Sequence, residues 1–518
     1  MKVVLLAALA GSLASAQLHK AVLPAHDLAR RQATATAAAT GSTRTAAAAT
    51  VTNTLPAATS APAASSRVPS GGSVSSKPLQ SLSLIGTTTT AEATQALPTT
   101  FAAGATPPVS GAPTLPNIAT LNPANYPPLD RLPPTDSPEV QEWLSQIDLA
   151  NVPDWAPTGL GGCANSTFNA DALAAAGADG ACWWSCGGCT RATDITYCPR
   201  KEDWGASFDD GPSPYTPRLL NLLESQGLKS TFFIVGSRAI SRPEMVQTEY
   251  MLGHQLSVHT WAHSALTTLT NEEIVAELGW TMKIIKDVTG VTPNTFRPPY
   301  GDIDDRVRYL ALQMGLRPII WTTYNNEVFD TRDWQIGGGV VTAPEAYSRF
   351  DTFLNQASSS LSSGFIVLAH DLYQQSVDLA VDYILPNVIN AGRLHIKTIA
   401  SCLGQSLEQS YMETANFTSD DLVQTTSTVV GATGSGFVPD VGLIANPTAS
   451  ASRGSEDTAS SAAGGSSGSS SGSRAASSGG PAASQSAGAS GGTSGGARGV
   501  QVGGAVVLGA ALVAALLQ

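Results

Sequence analysis

The amino-acid sequence predicts an α/β fold built on parallel strands, and three observations carry that expectation. Strand-like and helix-like runs alternate from residue 206 to residue 399, charged motifs recur where the strand-like runs end, and composition confines packing to the middle of the chain. Seven strands, each followed by a helix except the last, fit either a barrel or a wound sheet. In both, a ligand binds beyond the carboxyl ends of the strands.

The strands are expected at 206–208, 230–235, 256–258, 295–296, 318–322, 365–369 and 394–399. The helices between them are expected at 216–225, 243–252, 271–288, 305–314, 344–357 and 376–389. Short apolar runs bounded by turn residues give the strands, and apolar positions at helical spacing give the helices. The third helix has good local support. Thr270 and Glu273 form a capping box that fixes its start, and Ile274, Leu278, Ile285 and Val288 share one face that can be buried.

The chain has 518 residues, with 28 Lys and Arg against 40 Asp and Glu, for a formal net charge of −12. It therefore lacks a cationic face for a nucleic-acid backbone, and no nucleic-acid partner is expected. Charged residues make up 13%, about half of the roughly 25% typical of a soluble domain, so only part of the chain is expected to fold.

Residues 1–16 read as a signal peptide: Lys2, an apolar run at 3–13, then Ala14, Ser15 and Ala16 for cleavage. Residues 17–133, rich in Ala, Thr, Ser and Pro, read as a disordered stalk, and 134–200 as a Cys-rich lead-in. Residues 404–447 form a C-terminal extension and 448–490 a Ser/Gly-rich linker. Ser490 is the expected attachment point for a glycosylphosphatidylinositol (GPI) anchor. Residues 491–518 are then the propeptide, with a polar spacer at 493–501 and an uncharged apolar tail at 502–517. The protein is thus expected to be secreted, held to the outer face of the plasma membrane through that lipid alone, and present in the cell wall. Asn165 and Asn416 open acceptor sequences for N-glycans.

Cys163, Cys182, Cys186, Cys189 and Cys198 lie close together, and Cys402 lies far away after the last strand. Export favours disulfides, and several pairings are open. Because five is odd, Cys402 must pair with one of the cluster if all are oxidised. A metal or redox role for Cys186 and Cys189 is the lesser reading, since thiolates seldom survive in an oxidising compartment. Trp183 and Trp184 suggest a sugar-stacking platform, although aromatic residues beside bridges more often pack.

Five motifs fall at strand ends. Ser207-Phe208-Asp209-Asp210-Gly211-Pro212 ends the first strand with two adjacent carboxylates on a sharp turn. After the third strand, His259-Thr260-Trp261-Ala262-His263 places two imidazoles at i and i+4. On a helical turn these project to one side, the spacing that seizes a metal ion. With one carboxylate they supply three N/O ligands, the number that leaves a zinc-like ion an open position for water. Arg297-Pro298-Pro299-Tyr300-Gly301 follows the fourth strand, Asp330-Thr331-Arg332-Asp333-Trp334 the fifth, and Leu368-Ala369-His370 ends the sixth. His254 and His395 have no such company and read as structural.

These motifs resemble those of the polysaccharide deacetylases related to the rhizobial chitooligosaccharide deacetylase, carbohydrate esterase family four. The resemblance covers about residues 201–403, which it implies to be the catalytic domain. It departs from the family pattern at Ser207, where Thr is usual. It implies a distorted parallel (β/α) barrel of about seven strands that hydrolyses the N-acetyl groups of a chitin polymer or oligomer, giving chitosan and acetate. By the same resemblance Asp210, His259 and His263 hold one divalent metal, zinc or cobalt, Asp209 is the general base and His370 the general acid. Arg297 would steady Asp209, Asp333 would orient His370, and the backbone N–H of Tyr300 would face the oxyanion. Trp334 would wall the sugar groove and Leu368 would line the pocket for the acetyl methyl, while Asp330 receives no role.

No protein partner is implied, and a monomer is expected. Acetylated xylan or peptidoglycan is the alternative substrate, and a non-catalytic chitin-binding wall protein the alternative function. A glycosidase needs two carboxyl groups roughly 5–9.5 Å apart across the scissile bond, a poor match to adjacent acids.

Overall fold

A computed structural model describes residues 74–89 and 95–415. The leader, Asn416, the Ser/Gly-rich linker, Ser490 and the apolar tail lie outside the described residues. Among the described residues no helix is long and apolar enough to cross a membrane.

The seven expected strands are present, and they run parallel around a closed but uneven barrel. β1 (Asp203–Gly205) and β2 (Ser207–Asp209) are two halves of one extended run broken at Ala206. β3 (Thr231–Ile234), β4 (Gln255–Val258), β5 (Thr295–Phe296) and β6 (Arg317–Pro318) follow β2 side by side. A short antiparallel hairpin comes next, β7 (Thr323–Tyr324) and β8 (Glu327–Val328). β9 (Phe365–Ile366) and β10 (His395–Lys397) flank β1. The wall closes where the Thr322 N–H donates to the Ile366 carbonyl at 3.0 Å and the Asp209 N–H to the Ala369 carbonyl at 3.0 Å. Asp209 and His370 are thereby parallel neighbours at the rim.

The fifth and sixth strands are shorter than the runs expected at 318–322 and 365–369. The residues after β8 wedge between them and take the backbone groups that would otherwise pair. Phe329 donates to the Thr322 carbonyl at 2.9 Å, and Leu368 donates to the Phe329 carbonyl at 2.9 Å. Buried backbone groups must pair somewhere, so the wedge replaces the ladder and distorts the barrel.

Helices cover the outside at Thr216–Ser225, Pro243–Met251, Asn271–Thr289, Asp305–Gln313 and Ala343–Ser359. β2, β3 and β4 are buried at every position, as strands walled by helices are. Asn271–Thr289 begins at the expected capping box, with Glu273 donating to the Thr270 hydroxyl, and stops at Gly290, whose φ of 87° suits glycine. Gln374–Leu379 and Leu385–Ala391 are joined by a wider turn over Ala380–Ile384, just ahead of Pro386, which has no N–H to give.

Residues 74–89 and 95–133, expected above to belong to a disordered stalk, are instead laid along the helices. Lys77 pairs with Asp382 at 2.7 Å, the Asn221 amide donates to the Ala96 carbonyl at 2.9 Å, and Gln247 donates to the Pro116 carbonyl at 3.0 Å. Leu82, Val109 and Leu115 are buried in the domain's core. The segment has too few apolar residues for a core of its own. Extended, Pro-rich backbone nonetheless keeps its carbonyls open to donors on a neighbouring surface, and the three buried side chains add apolar anchors to those bonds. Helix Pro138–Ser145 then seats Trp143 on Gly279, where an added Cβ would lie 2.1 Å from the ring.

The cysteines form three bridges, Cys163–Cys186, Cys182–Cys189 and Cys198–Cys402. Cys402 does pair with a member of the cluster, and no thiol remains for a metal or redox role among the described residues. Trp183 and Trp184 are packed rather than displayed. The Trp183 ring N–H donates to Asp302 at 2.7 Å, and Trp184 rests on Gly301 and against Trp321.

Candidate active site

Asp210, His259 and His263 converge at the carboxyl ends of β2 and β4. Asp210 Oδ1 lies 3.2 Å from His259 Nε2 and 3.0 Å from His263 Nε2, and one ligand atom from each residue lies within 4.8 Å of the others. His259 Nδ1 is 2.8 Å from the Arg297 carbonyl, which can only accept, so Nδ1 carries a proton and Nε2 is the ring atom turned to Asp210. Burial pushes the His263 pKa down against the pull of Asp210, which favours a neutral imidazole there. Asp210 Oδ1 is buried with no hydrogen-bond donor. A carboxylate oxygen facing the Nε2 atoms of two imidazoles is the donor set of a divalent cation, so these three residues fit a metal.

The i, i+4 spacing predicted a helical turn for His259–His263, and this is corrected: the segment is an irregular loop with Thr260 at φ 63° and His263 at φ 59°. Its amides bond outside the segment. Trp261 and Ala262 donate to Glu277 Oε2 at 2.6 and 2.9 Å, and the Ser264 hydroxyl donates to Glu277 Oε1 at 2.8 Å. The Thr260 and Trp261 carbonyls accept from Gly236 and Ser237 at 3.0 and 3.1 Å. On the other side, the Trp261 ring stacks on Tyr126 and its N–H donates to the Pro128 carbonyl at 3.0 Å. Asp210 (φ 78°) and Tyr300 (φ 60°) are left-handed too. Four such non-glycine residues at one mouth, each costing on the order of 1–3 kcal/mol, persist only because their surroundings hold them.

Asp209 and Arg297 form a second, fully buried unit. Arg297 Nη1 donates to Asp209 Oδ1 at 2.6 Å and to the Ser207 hydroxyl at 3.1 Å, and its guanidinium lies 3.9 Å from the centre of the Phe233 ring. Asp209 Oδ2 stands 4.0 Å from His259 Nε2, beside the cation cluster and outside it.

His370 and Asp333 form the third unit. His370 donates from its backbone N–H to Asp333 Oδ2 at 2.9 Å and pairs through Nδ1 with Asp333 Oδ1 at 2.7 Å. Burial works to lower the His370 pKa, but Asp333, Asp210 and Asp209 together push it up to about 10.

Tyr300 is 55% exposed, and its hydroxyl is 3.2 Å from His263 Nδ1. Leu368 is buried beside the unit, its carbonyl accepting from the Thr331 hydroxyl at 3.0 Å, and half-buried Trp334 donates its backbone N–H to Asp333 at 2.9 Å. Asp330 pairs with Leu368 across the wedge and accepts from the Arg332 N–H at 2.8 Å. His254 and His395 are away from the cluster: the first accepts from the Ser230 N–H at 3.1 Å, and the second lies 3.1 Å from Asp203.

Two site residues escaped the sequence reading. Glu277 lies on the buried face of helix Asn271–Thr289, and burial pushes its pKa up to about 7 against the donors of the loop. Its signal was an acid in an apolar stretch with no basic partner nearby in sequence. Asp371 follows His370; burial pushes it up to about 7, and it accepts from the Thr216 hydroxyl and braces the Asp209–Gly211 turn, where a Cβ on Gly211 would lie 2.4 Å from its carboxylate.

A barrel whose rim joins a triad that fits a cation, a buried carboxylate and a carboxylate-held imidazole has the parts that a metal-assisted hydrolase uses. Residues 196–319 match the family described as polysaccharide deacetylase. Over 378 residues the chain is 55% identical to chitin deacetylase 1 of Cryptococcus neoformans var. grubii serotype A, covering 72% of this chain and 77% of that protein. It is 37% identical over 246 residues to the chitin deacetylase of Amylomyces rouxii, covering 46% of this chain and 55% of that one. The solved chitin deacetylase of Colletotrichum lindemuthianum superposes with a TM-score of 0.38 at 25% identity, covering 43% of this chain and 97% of that structure. The chain belongs to the polysaccharide deacetylase family and is a hydrolase.

Proposed function

We propose that this chain removes the N-acetyl groups of N-acetylglucosamine residues in chitin, leaving chitosan and acetate. The observation that carries the reading is the Asp209–His370 pairing across the barrel seam, which sets a carboxylate and an imidazole side by side at the mouth of the Asp210, His259 and His263 cluster. The 55% identity to a chitin deacetylase supports the choice of polymer.

Asp210, His259 and His263 would hold one divalent cation, zinc or cobalt by the chemistry of two imidazoles and a carboxylate. Such an ion, when bound, lowers the pKa of a water and polarises the amide carbonyl. Asp209 would take the proton from the attacking water; Arg297 fixes the carboxylate's direction by holding Oδ1 and leaving Oδ2 toward the cluster. The backbone N–H of Tyr300 faces the charge that develops on the carbonyl oxygen. His370 gives a proton to the departing amine, which is too basic to leave as an anion, and Asp333 holds the ring in the protonated form that can do so. Trp334 walls the sugar groove, and Leu368 meets the acetyl methyl. A monomer supplies every part.

The test is an acetate assay on chitin oligomers, acetylated xylan and peptidoglycan, before and after chelation and with zinc or cobalt restored. Acetate is expected from chitin oligomers alone, to vanish with chelator and to return with metal. Release from another polymer would move the substrate, and release that persists in chelator would remove the cation from the reaction.

Asp333→Asn gives a pH-dependent result. His370 acts while protonated, and that form is lost as pH rises through its pKa. Removing the Asp333 charge lowers that pKa, so the alkaline limb of the kcat profile is expected to move to lower pH. An unmoved limb would detach Asp333 from the acid.

Export, wall location and anchoring through Ser490 belong to the same proposal and rest on the sequence pattern at the two ends. Release from intact cells by a phosphatidylinositol-specific lipase supports it, and retention of residues 502–517 in the mature chain refutes it.

A further inference from the structure

Residues 134–195 of the Cys-rich lead-in lie outside the residues that match the family, yet they dock on the loops that carry the site. Thr158 donates its N–H to the Thr267 carbonyl at 2.8 Å, and the two hydroxyls are 2.7 Å apart. Thr267 in turn donates to Asp302 from its N–H and its hydroxyl at 2.9 and 2.6 Å. Thr267 follows His263 by four residues and Asp302 follows Tyr300 by two, so the lead-in is fastened to both loops at the mouth.

The next residue, Gly159, is a seat for an aromatic ring. A Cβ there would lie 2.3, 2.8 and 2.9 Å from Phe168 Cδ1, Cε1 and Cγ, so the Phe168 ring lies on the glycine backbone. Behind it, buried Asn169 clamps the turn, donating to the Gly159 and Gly162 carbonyls at 3.0 and 2.9 Å and accepting from the Gly159 N–H at 2.6 Å. The Cys163–Cys186 bridge fixes the same turn. Braced on one face, Phe168 is still 71% exposed. Phe168 and Tyr300 are the aromatic side chains among the largest exposed apolar groups of the described residues, and the bonded path above joins them.

We infer that Phe168 is a distal stacking platform for a pyranose ring of the substrate chain, beyond the unit being deacetylated. This rests on the proposed function. A β-linked N-acetylglucosamine polymer is uncharged and presents axial C–H groups on both ring faces, so a rigid apolar ring can hold it where charge cannot. Holding the ring fixed before binding removes most of the ordering cost of the contact. A glycan on Asn165 would compete for the same ring: Asn165 opens an N-glycan acceptor sequence, its Oδ1 accepts from the Phe168 N–H at 3.4 Å, and its Nδ2 donates to the Leu160 carbonyl at 2.9 Å.

Phe168→Ala, Phe168→Tyr and wild type are compared by acetate release and by direct binding, on the N-acetylglucosamine dimer and hexamer, with each also made in an Asn165→Gln background. Phe168→Ala is expected to raise KM for the hexamer by roughly 2- to 10-fold, the range one aromatic contact supplies. It should leave kcat and the dimer KM unchanged in both backgrounds, and Phe168→Tyr should restore the hexamer value. Equal KM changes for dimer and hexamer, or none, overturn the platform. A hexamer effect that disappears with Asn165→Gln also overturns it, by giving the ring to the chain's own glycan. If wild type releases no acetate from either oligomer, the proposed function fails on its own. Hexamer binding then decides the platform: weakening by Phe168→Ala upholds it and no change removes it.

Discussion

Asp209→Asn is expected to cut acetate release per bound metal on the order of 10²- to 10⁴-fold, the contribution of a positioned general base. Metal content and chitin binding should persist, because the two carboxylates, adjacent in sequence, stand at different distances from the imidazoles. Asp210 Oδ1 lies 3.0 and 3.2 Å from the two imidazoles, whereas Asp209 Oδ2 stands 4.0 Å from the nearer one. The amide keeps an oxygen for Arg297 Nη1 to donate to but cannot take a proton. It also leaves the fully buried Arg297 without its counter-charge, a loss typically of about 3–5 kcal/mol. The melting temperature should therefore fall, which is why turnover is normalised to bound metal. His263→Ala gives the contrasting result, loss of the metal itself. Near-normal turnover per metal in Asp209→Asn would assign the base elsewhere.

The legible parts of this molecule were those whose physics is local. Helix Asn271–Thr289 was readable from Thr270 and Glu273 because a capping box is a four-residue event, and the strand ends were readable because turn residues follow short apolar runs. The three clustered positions, Asp210, His259 and His263, were visible as residue types, but their conformation was not. A spacing of four reads as a helical turn only if the amides bond within the segment, and here Glu277, from a later helix, takes two of them. Glu277, Asp371 and the Tyr126–Pro128 clasp act across 13 or more residues of separation, where periodicity carries no signal. The Ala/Thr/Pro-rich segment failed for another reason. Composition measures whether a stretch can build a core, and residues 95–133 use one already built, burying Val109 and Leu115 in it.

That web around the ligand loop sets the second large expectation. Glu277→Leu is expected to weaken metal binding by roughly 10- to 100-fold, as loss of a group that orients ligands from behind does. Leucine keeps the volume and supplies no acceptor, so the Trp261 and Ala262 N–H groups, 2.6 and 2.9 Å from Glu277 Oε2, would be left buried and unpaired at roughly 1–3 kcal/mol each. The loop's cheapest escape is to turn those amides toward water, which swings His263 off Asp210, since His263 already holds a left-handed conformation that its neighbours impose. Glu277→Gln should recover most of the affinity: burial pushes the carboxyl up to about 7, so a neutral side chain with one good acceptor is close to what the loop grips near neutral pH. Competition against a calibrated chelator measures the metal dissociation constant, and thermal melting measures the fold. A merely structural role would lower the melting temperature of both variants and leave the dissociation constant alone. A shift in the dissociation constant for leucine but not for glutamine places Glu277 among the residues that hold the metal site in shape.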